Sequence, residues 1–415
     1  MKFNKWTVAL AAVGVVSLAS AAKAEEKASA VSTALSSTTI GGYVDTSAQW
    51  NLGTGNQNAA PYRFNSPSKA DGFNLDVVQL TIAKPLDETP WSAGYRADLW
   101  AGPDANNLRT TSILATGGPS DFAIRQAYVT LNAPVGTGID FKVGVFDSIL
   151  GYESLESPND PNYTRSYGHS MEPQTHTGAL VTYRFGNDPS TNSILTLTAG
   201  VADTVGPTIN ERAFEGLNSG IYANNNNMAE SYKAYMASMA LTAPDSMGFL
   251  AGSTLYAGFV NGFSDHAANV QGGRGTGDQT SYYVGATVAT PIKELQLGAA
   301  FDYLDMYGVN GQTWAAAGYA TVHATEKLSF NSRAEYLKDS SGFFGWTTPA
   351  GVPISQTVLA ATETVQYDLW KNVISRLELR WDHSLSAVDS FGGETPGAPT
   401  ARNAWMLAAN IIYKF

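Results

Sequence analysis

Seven residues near the carboxy end restrict this chain most: Arg376-Leu-Glu-Leu-Arg-Trp-Asp382 alternates charged and apolar side chains without a break. A helix would scatter the four charges round its surface. A strand collects Arg376, Glu378, Arg380 and Asp382 on one face and sets Val373, Leu377, Leu379 and Trp381 on the other. Weaker versions of this pattern recur along the chain. Tyr43, Asp45, Ser47 and Gln49 oppose Ile40, Val44, Ala48 and Trp50, and Gln79 and Thr81 oppose Val78, Leu80 and Ile82. Ser92, Gly94, Arg96, Asp98 and Trp100 oppose Trp91, Ala93, Tyr95, Ala97 and Leu99; Asp140, Lys142 and Gly144 oppose Ile139, Phe141, Val143 and Val145. About sixteen such segments are legible, each near the ten residues that a tilted membrane-crossing strand needs. An Arg on a lipid-facing position near the midplane costs about 2–4 kcal/mol, so the charged faces are expected to line a wet lumen.

The connections support the same architecture. Residues 85–89, 133–138, 187–192, 243–248, 290–293, 325–327 and 369–372 form short turns, and between them lie longer connections at 51–72, 102–120, 151–175, 203–230, 262–278, 339–356 and 386–400. One connection, Tyr307–Gln312, is short where a long one is due. Bacterial barrels have short periplasmic turns and long outer loops, which puts both ends of an even-stranded barrel on the periplasmic side. A soluble β-sandwich also alternates. The apolar face here carries terminal aromatics (Trp50, Trp91, Tyr183, Phe185, Tyr303 and Tyr413), as interfacial girdles do. The expected fold is therefore all-β: a transmembrane antiparallel up-and-down barrel of about sixteen strands in a single domain, 39–415. Residues 353–368 fit least well, because one phase puts Glu363 outward with Leu359, Val365 and Tyr367. A wrong phase, a bulge or a neighbouring subunit would each account for it.

The first residues read as an export signal. Lys2 and Lys5 precede a mostly apolar run from Trp6 to Leu18, and Ala22-Lys23-Ala24 is an A-x-A cleavage pattern. Residues 1–24 are expected to be removed, leaving a short segment, 25–38, before the barrel. The mature chain then holds 22 basic against 36 acidic residues, a net charge of −14. That argues against nucleic acid and favours cations at a lumen or mouth. No later apolar run reaches 18 residues, so no helical span is expected. With no cysteine, disulfides, thiolate metal sites and cysteine catalysis are excluded.

The candidate pore-lining charges on the strands are Arg96, Asp98, Asp140, Lys142, Asp302, Arg333, Glu335, Arg376, Glu378, Arg380 and Asp382. Opposed acids and bases would set a field that selects solutes; equally, they would pair along the wall and stiffen it. Tyr43, Trp100 and Phe146 face inward and permit a weak aromatic slide for sugars. Catalysis has little support. His383 and Ser384 point to opposite faces, where a hydrolase needs them on one patch. His169, His176 and Glu172 match no established metal spacing. Gly272–Gly277 lacks the Lys-Ser/Thr ending of a phosphate loop and, like Asn224–Asn227, reads as outer loop. No cofactor or metal is expected.

The last residues, Trp405 to Phe415, alternate and end in Tyr413 and Phe415. This resembles the assembly signal of bacterial outer-membrane proteins, which implies recognition by the barrel-assembly machinery and residence in outer-membrane lipid. The segments Gly144–Glu153 and Arg376–Asp382 resemble the OmpL-like β-barrel porins. Sixteen strands is also the count of the general trimeric porins, which implies a homotrimer and a loop after the fifth strand that folds inward. Here that loop is 151–175, with Glu153, Glu156, Asp160, Arg165, His169 and Glu172. The acidic constriction motif of enterobacterial porins is absent, so loop position carries over and residue roles do not. The expected function is passive diffusion of small hydrophilic solutes and ions, weakly favouring cations. A sugar- or anion-specific channel and a plugged structural or adhesive barrel are the alternatives.

Overall fold

A computed structural model describes residues 37–53, 55–87, 89–108, 110, 112, 120–186, 194–213, 232–264, 277–307, 309, 311–346 and 354–415. The signal segment 1–24, the segment 25–36, Asn224–Asn227 and most of Gly272–Gly277 lie outside them. The strands are β1 (Thr39–Leu52), β2 (Gly72–Lys84), β3 (Ala93–Ala101), β4 (Phe122–Ala133), β5 (Ile139–Asp147), β6 (Thr175–Phe185), β7 (Leu195–Ala202) and β8 (Ala234–Thr242). They continue with β9 (Thr254–Phe263), β10 (Asp278–Ala289), β11 (Leu295–Met306), β12 (Thr313–His323), β13 (Leu328–Asp339), β14 (Gln356–Trp370), β15 (Val373–Ser384) and β16 (Asn403–Lys414). Each pairs antiparallel with its sequence neighbours, and β1 pairs β16, so the sheet closes. Closure removes every sheet edge, which lipid would otherwise leave without hydrogen-bond partners.

The alternation in sequence becomes inside and outside. On β15 Arg376, Glu378, Arg380 and Asp382 are buried within the barrel, while Leu377 and Leu379 are exposed on its outer surface. Trp50, Trp91, Phe185 and Tyr413 are exposed near strand ends. The turn between β14 and β15 is only Lys371–Asn372, with Asn372 at φ 67°, a conformation Asn tolerates better than most residues. The expected short connection, 307–312, joins β11 to β12.

Two bulges within the β1–β4 wall interrupt the alternation, and a third shift skips Leu369 at the end of β14. Between β1 and β2 the register skips Asp76, and between β3 and β4 it skips Arg125. Both extra residues are buried and charged. A bulge re-aims a side chain, and here each adds a charge to the lumen that strict alternation misses.

Glu363 is outward. The β13–β14 register runs unbroken from Asp339↔Gln356 to Leu328↔Tyr367, and on the β15 side it shifts only between Asp368 and Trp370. The outward phase therefore holds, and no bulge sits at Glu363. Its carboxylate accepts a hydrogen bond from Ser332 Oγ at 2.8 Å, with Leu379 as its cross-strand neighbour on β15.

At the closing seam, Gly42 N donates to Phe415 O and Phe415 N donates to Gly42 O, both at 3.0 Å. A Cβ on Gly42 would lie 2.9 Å from Phe415 Cζ and 2.0 Å from Gln79 O, so only glycine fits there.

Candidate functional site in the barrel lumen

Residues 148–174, between β5 and β6, fold into the barrel instead of standing above it. Their path follows small residues on the wall. Leu150 lies over Gly258 and Tyr152 over Gly298, where a Cβ would meet the Tyr152 hydroxyl at 1.9 Å. Tyr152 also stacks on Tyr319, with ring centroids 4.1 Å apart. Further on, Ser166 Oγ accepts from His169 N at 3.0 Å and caps a single helical turn, Tyr167–Met171. Such a cap satisfies one of the amides that a helix start leaves unpaired.

The loop then consumes the charges of β13 and β15. Glu378 accepts from Tyr163 N at 2.6 Å, from Thr164 N at 3.0 Å and from Thr164 Oγ1 at 2.6 Å. Arg333 donates to Glu153 Oε1 at 3.0 Å, to the Thr164 carbonyl at 2.7 Å and to Glu335 at 2.8 Å. Arg380 donates to the Arg165 carbonyl at 2.8 Å and to Asp382 at 2.9 Å, and its guanidinium lies 3.8 Å from the Tyr62 ring centroid. Glu335 accepts from Tyr167 N at 2.7 Å, and Asp382 accepts from the Tyr167 hydroxyl at 2.9 Å. Arg376 donates to the carbonyls of Ser157 at 2.9 Å and Asp160 at 2.5 Å. All six of these strand charges are almost wholly buried. Buried ions persist only when paired and hydrogen-bonded, and the loop supplies what the wall alone does not.

Apolar clusters fill further space along the wall. Tyr62, Tyr167, Met171, Leu304, Leu337 and Phe391 form one cluster. Phe146, Leu150, Leu180, Met236, Val260 and Tyr283 form another against β6–β11. Tyr43, Trp100 and Phe146 belong to such clusters and are buried, and Trp100 Nε1 donates to Gln79 at 2.6 Å. This corrects the expectation of an aromatic slide: those rings pack into the wall and are not offered to a solute.

The wall from β3 to β7 differs. Glu156 reaches it from the loop and accepts from Arg96 at 2.7 Å and from Arg125 at 2.6 Å. Arg125 also pairs with Asp147 and Asp98. Asp98 is fully buried and accepts from Arg96, Thr81 and Gln126. Below this knot a cavity of about 420 Å³ remains, lined by Arg96, Tyr128, Asp140, Lys142, Thr182 and Arg184 among others. Arg184 pairs with Asp140, and the Lys142 ammonium lies 4.4 Å from the Tyr128 ring centroid.

Asp302 on β11 stands apart from the ladders. It faces Gly168 and Glu172 of the loop; a Cβ on Gly168 would lie 2.3 Å from its Oδ2. Burial first, and then the nearby Asp302 carboxylate, push Glu172 well above the usual carboxylate range. Burial likewise pushes Asp160 up to about 7, against the pull of Arg165. It holds His169 well below its ordinary value. His169 Nδ1 is 3.4 Å from Glu172, whereas His176 lies on β6, 3.4 Å from Ser148 Oγ. Among the described residues no group of three or more His, Asp or Glu side chains is arranged to hold a metal ion. His383 bonds Asn403 and Ser384 bonds Gln356, on opposite faces of β15.

The structure thus gathers Glu153, Arg333, Glu335, Arg376, Glu378, Arg380 and Asp382 round the loop, and Arg96, Asp98 and Glu156 in the knot with Arg125. Asp140 and Lys142 line the cavity beneath. Arg125, Lys69, Asp76 and Asp147 were not foreseen. Arg125 and Asp76 hide in bulges. Lys69 sits in an outer connection and bridges Asp76 and Asp104, each at 2.6 Å.

Known proteins agree with this architecture. Residues 37–415 match the family described as "Putative beta-barrel porin-2, OmpL-like". No curated protein matches the sequence. Among solved structures, OprB of Pseudomonas putida superposes with a TM-score of 0.59 at 11% identity, covering 93% of this chain and 96% of that one. An anion-selective porin from Comamonas acidovorans gives 0.56 at 12% identity, covering 91% and 99%. Salmonella typhi OmpF gives 0.55 at 14%, covering 91% and 97%. At such identities the likeness is one of fold. The family match spans the whole barrel, and the chain belongs to the OmpL-like β-barrel porin-2 family of outer-membrane porins.

Proposed function

We propose that the barrel lets small hydrophilic solutes and ions diffuse passively across the outer membrane, without catalysis. The observation that carries this reading is the division of the lumen. The loop's densest anchorage is on β12 to β15, while the β3–β7 side, which the loop reaches through Glu156, keeps a cavity with partly exposed Arg96, Lys142 and Arg184. Acidic groups prevail in the mature chain, which supports a weak preference for cations.

The test is single-channel conductance of the refolded mature protein in a planar bilayer, with reversal potential across a salt gradient. Stable steps with a small cation-directed reversal potential are expected. A verified folded barrel that never conducts would overturn the reading. One observation favours a second reading, a barrel closed at rest: the loop is bonded to β1, β3, β4 and β12 to β15. Conductance appearing only after the loop is cut would select it.

Export through a signal segment removed after Ala24, with residues 25–38 left ahead of the barrel, belongs to the same reading. So does recognition of Tyr413 and Phe415 by the barrel-assembly machinery. The homotrimer is supported by Glu363, a carboxylate on the outer face at mid-strand, which lipid disfavours and a neighbouring subunit would cover. Steps in threes, and a cross-linked trimer band, would report it.

A further inference from the structure

Seven basic residues point inward from the described strands: Arg96, Arg125, Lys142, Arg184, Arg333, Arg376 and Arg380. Six donate hydrogen bonds to protein oxygens. Lys142 makes no hydrogen bond or ion pair among the described residues. Its ammonium rests over the Tyr128 ring, an attraction of roughly 0.5–2 kcal/mol, weaker than a charge-assisted bond to an anion. The acids in its surroundings are engaged elsewhere: Asp147 with Arg125, and Asp140, which lines the same cavity, with Arg184.

The surroundings of Lys142 are those of a small-molecule site. The cavity is about 420 Å³, within the range of known ligand pockets. Arg96 and Arg184 sit in the same wall with partly exposed side chains, and Lys84 lines the cavity too, so its lining holds four basic residues and one acid, Asp140. Ile149 and Leu180 give an apolar side, with Tyr128 as a platform.

We propose that this cavity is a binding site for a small carboxylate-bearing organic solute. Lys142 takes the carboxylate, Arg184 backs it, and the apolar part of the solute lies against Tyr128 and Leu180. The proposal rests on the diffusion-channel reading and gives it a substrate class. In a chain of net negative charge a carboxylate meets repulsion on entry, and one uncommitted cation past the constriction offsets it.

Benzoate is the probe, added to the mature protein in a planar bilayer in potassium chloride. Benzoate is expected to interrupt the current, and Lys142→Gln to raise the half-blocking concentration about tenfold, the size of one charge-assisted contact. Lys142→Arg should stay near wild type. Lys371→Gln, which removes the same charge at a periplasmic turn, should leave block unchanged. Equal block in wild type and Lys142→Gln would overturn the proposal. So would block by inorganic phosphate as strong as by benzoate, since the site would then read charge alone. A barrel that does not conduct would count against the channel reading instead. In that case calorimetric titration of benzoate into the protein in micelles decides the site: binding lost in Lys142→Gln supports it, and no binding to wild type overturns it.

Discussion

The two halves of the lumen wall carry the same kinds of residue and put them to opposite uses. On β13 and β15, Arg333, Glu335, Glu378, Arg380 and Asp382 are sealed beneath the loop, each with two or more polar partners. On β3, β5 and β6, Arg96, Asp140, Lys142 and Arg184 keep solvent contact. The difference lies in the loop, which leans to one side. Alternation decides only that a side chain faces inward; whether the inward space holds water or protein depends on where a distant segment lands.

That contrast can be broken by substitution, and the largest effect belongs on the sealed side. Arg333→Ala leaves Glu153 buried without its cation and Glu335 with only Arg380, 3.5 Å away, and should cost about 3–5 kcal/mol, seen as a lowered urea midpoint of the refolded barrel. Unchanged stability would mean the sealed half is wetter than its geometry. Next, Glu378→Ala removes the acceptor of three loop donors, at about 1.5–3 kcal/mol for such charged bonds. The loop should become susceptible to protease and the unit conductance should rise.

A change of pH sharpens the comparison further. Glu172 and Asp160 bind protons more tightly with the loop docked than free. Their contribution to docking is therefore full below the ordinary carboxylate range and is lost as pH rises, through about 7 for Asp160. His169 acts in the opposite sense: its docked neutral form is favoured above its ordinary value, and that contribution is lost as pH falls below it. Between pH 5 and 8 the carboxyl groups set the sign, so conductance and protease access should rise with pH. Glu172→Gln should flatten the rise. The smallest effect belongs on the open side. Arg184→Gln removes a partly exposed pair and should change stability by under about 1 kcal/mol, while moving the reversal potential toward cations.

Much of the barrel was legible because lipid outside and water or protein inside impose a period of two on every strand. Arg376–Asp382 alone announces that period, and the turn at Lys371–Asn372 marks where it stops. Glu363, the residue that looked misplaced, stands where its alternation put it. The candidate site was legible only as a set of inward charges. Arg125 and Asp76 escaped notice, since a bulge is a property of two strands in register and neither strand shows it alone. Trp100 and Phe146 were assigned the correct face and the wrong role, being buried by segments far away in the chain.

The sequence by itself determined the strands, their inner and outer faces and the closed sheet, because each follows from local periodicity and from the need to pair every backbone group in lipid. Only the tertiary structure decided which inward charges are sealed and which line a cavity. That depends on the course of residues 148–174 across the lumen, from Leu150 over Gly258 to Thr164 on Glu378, and such contacts between distant segments leave no periodic trace in either one.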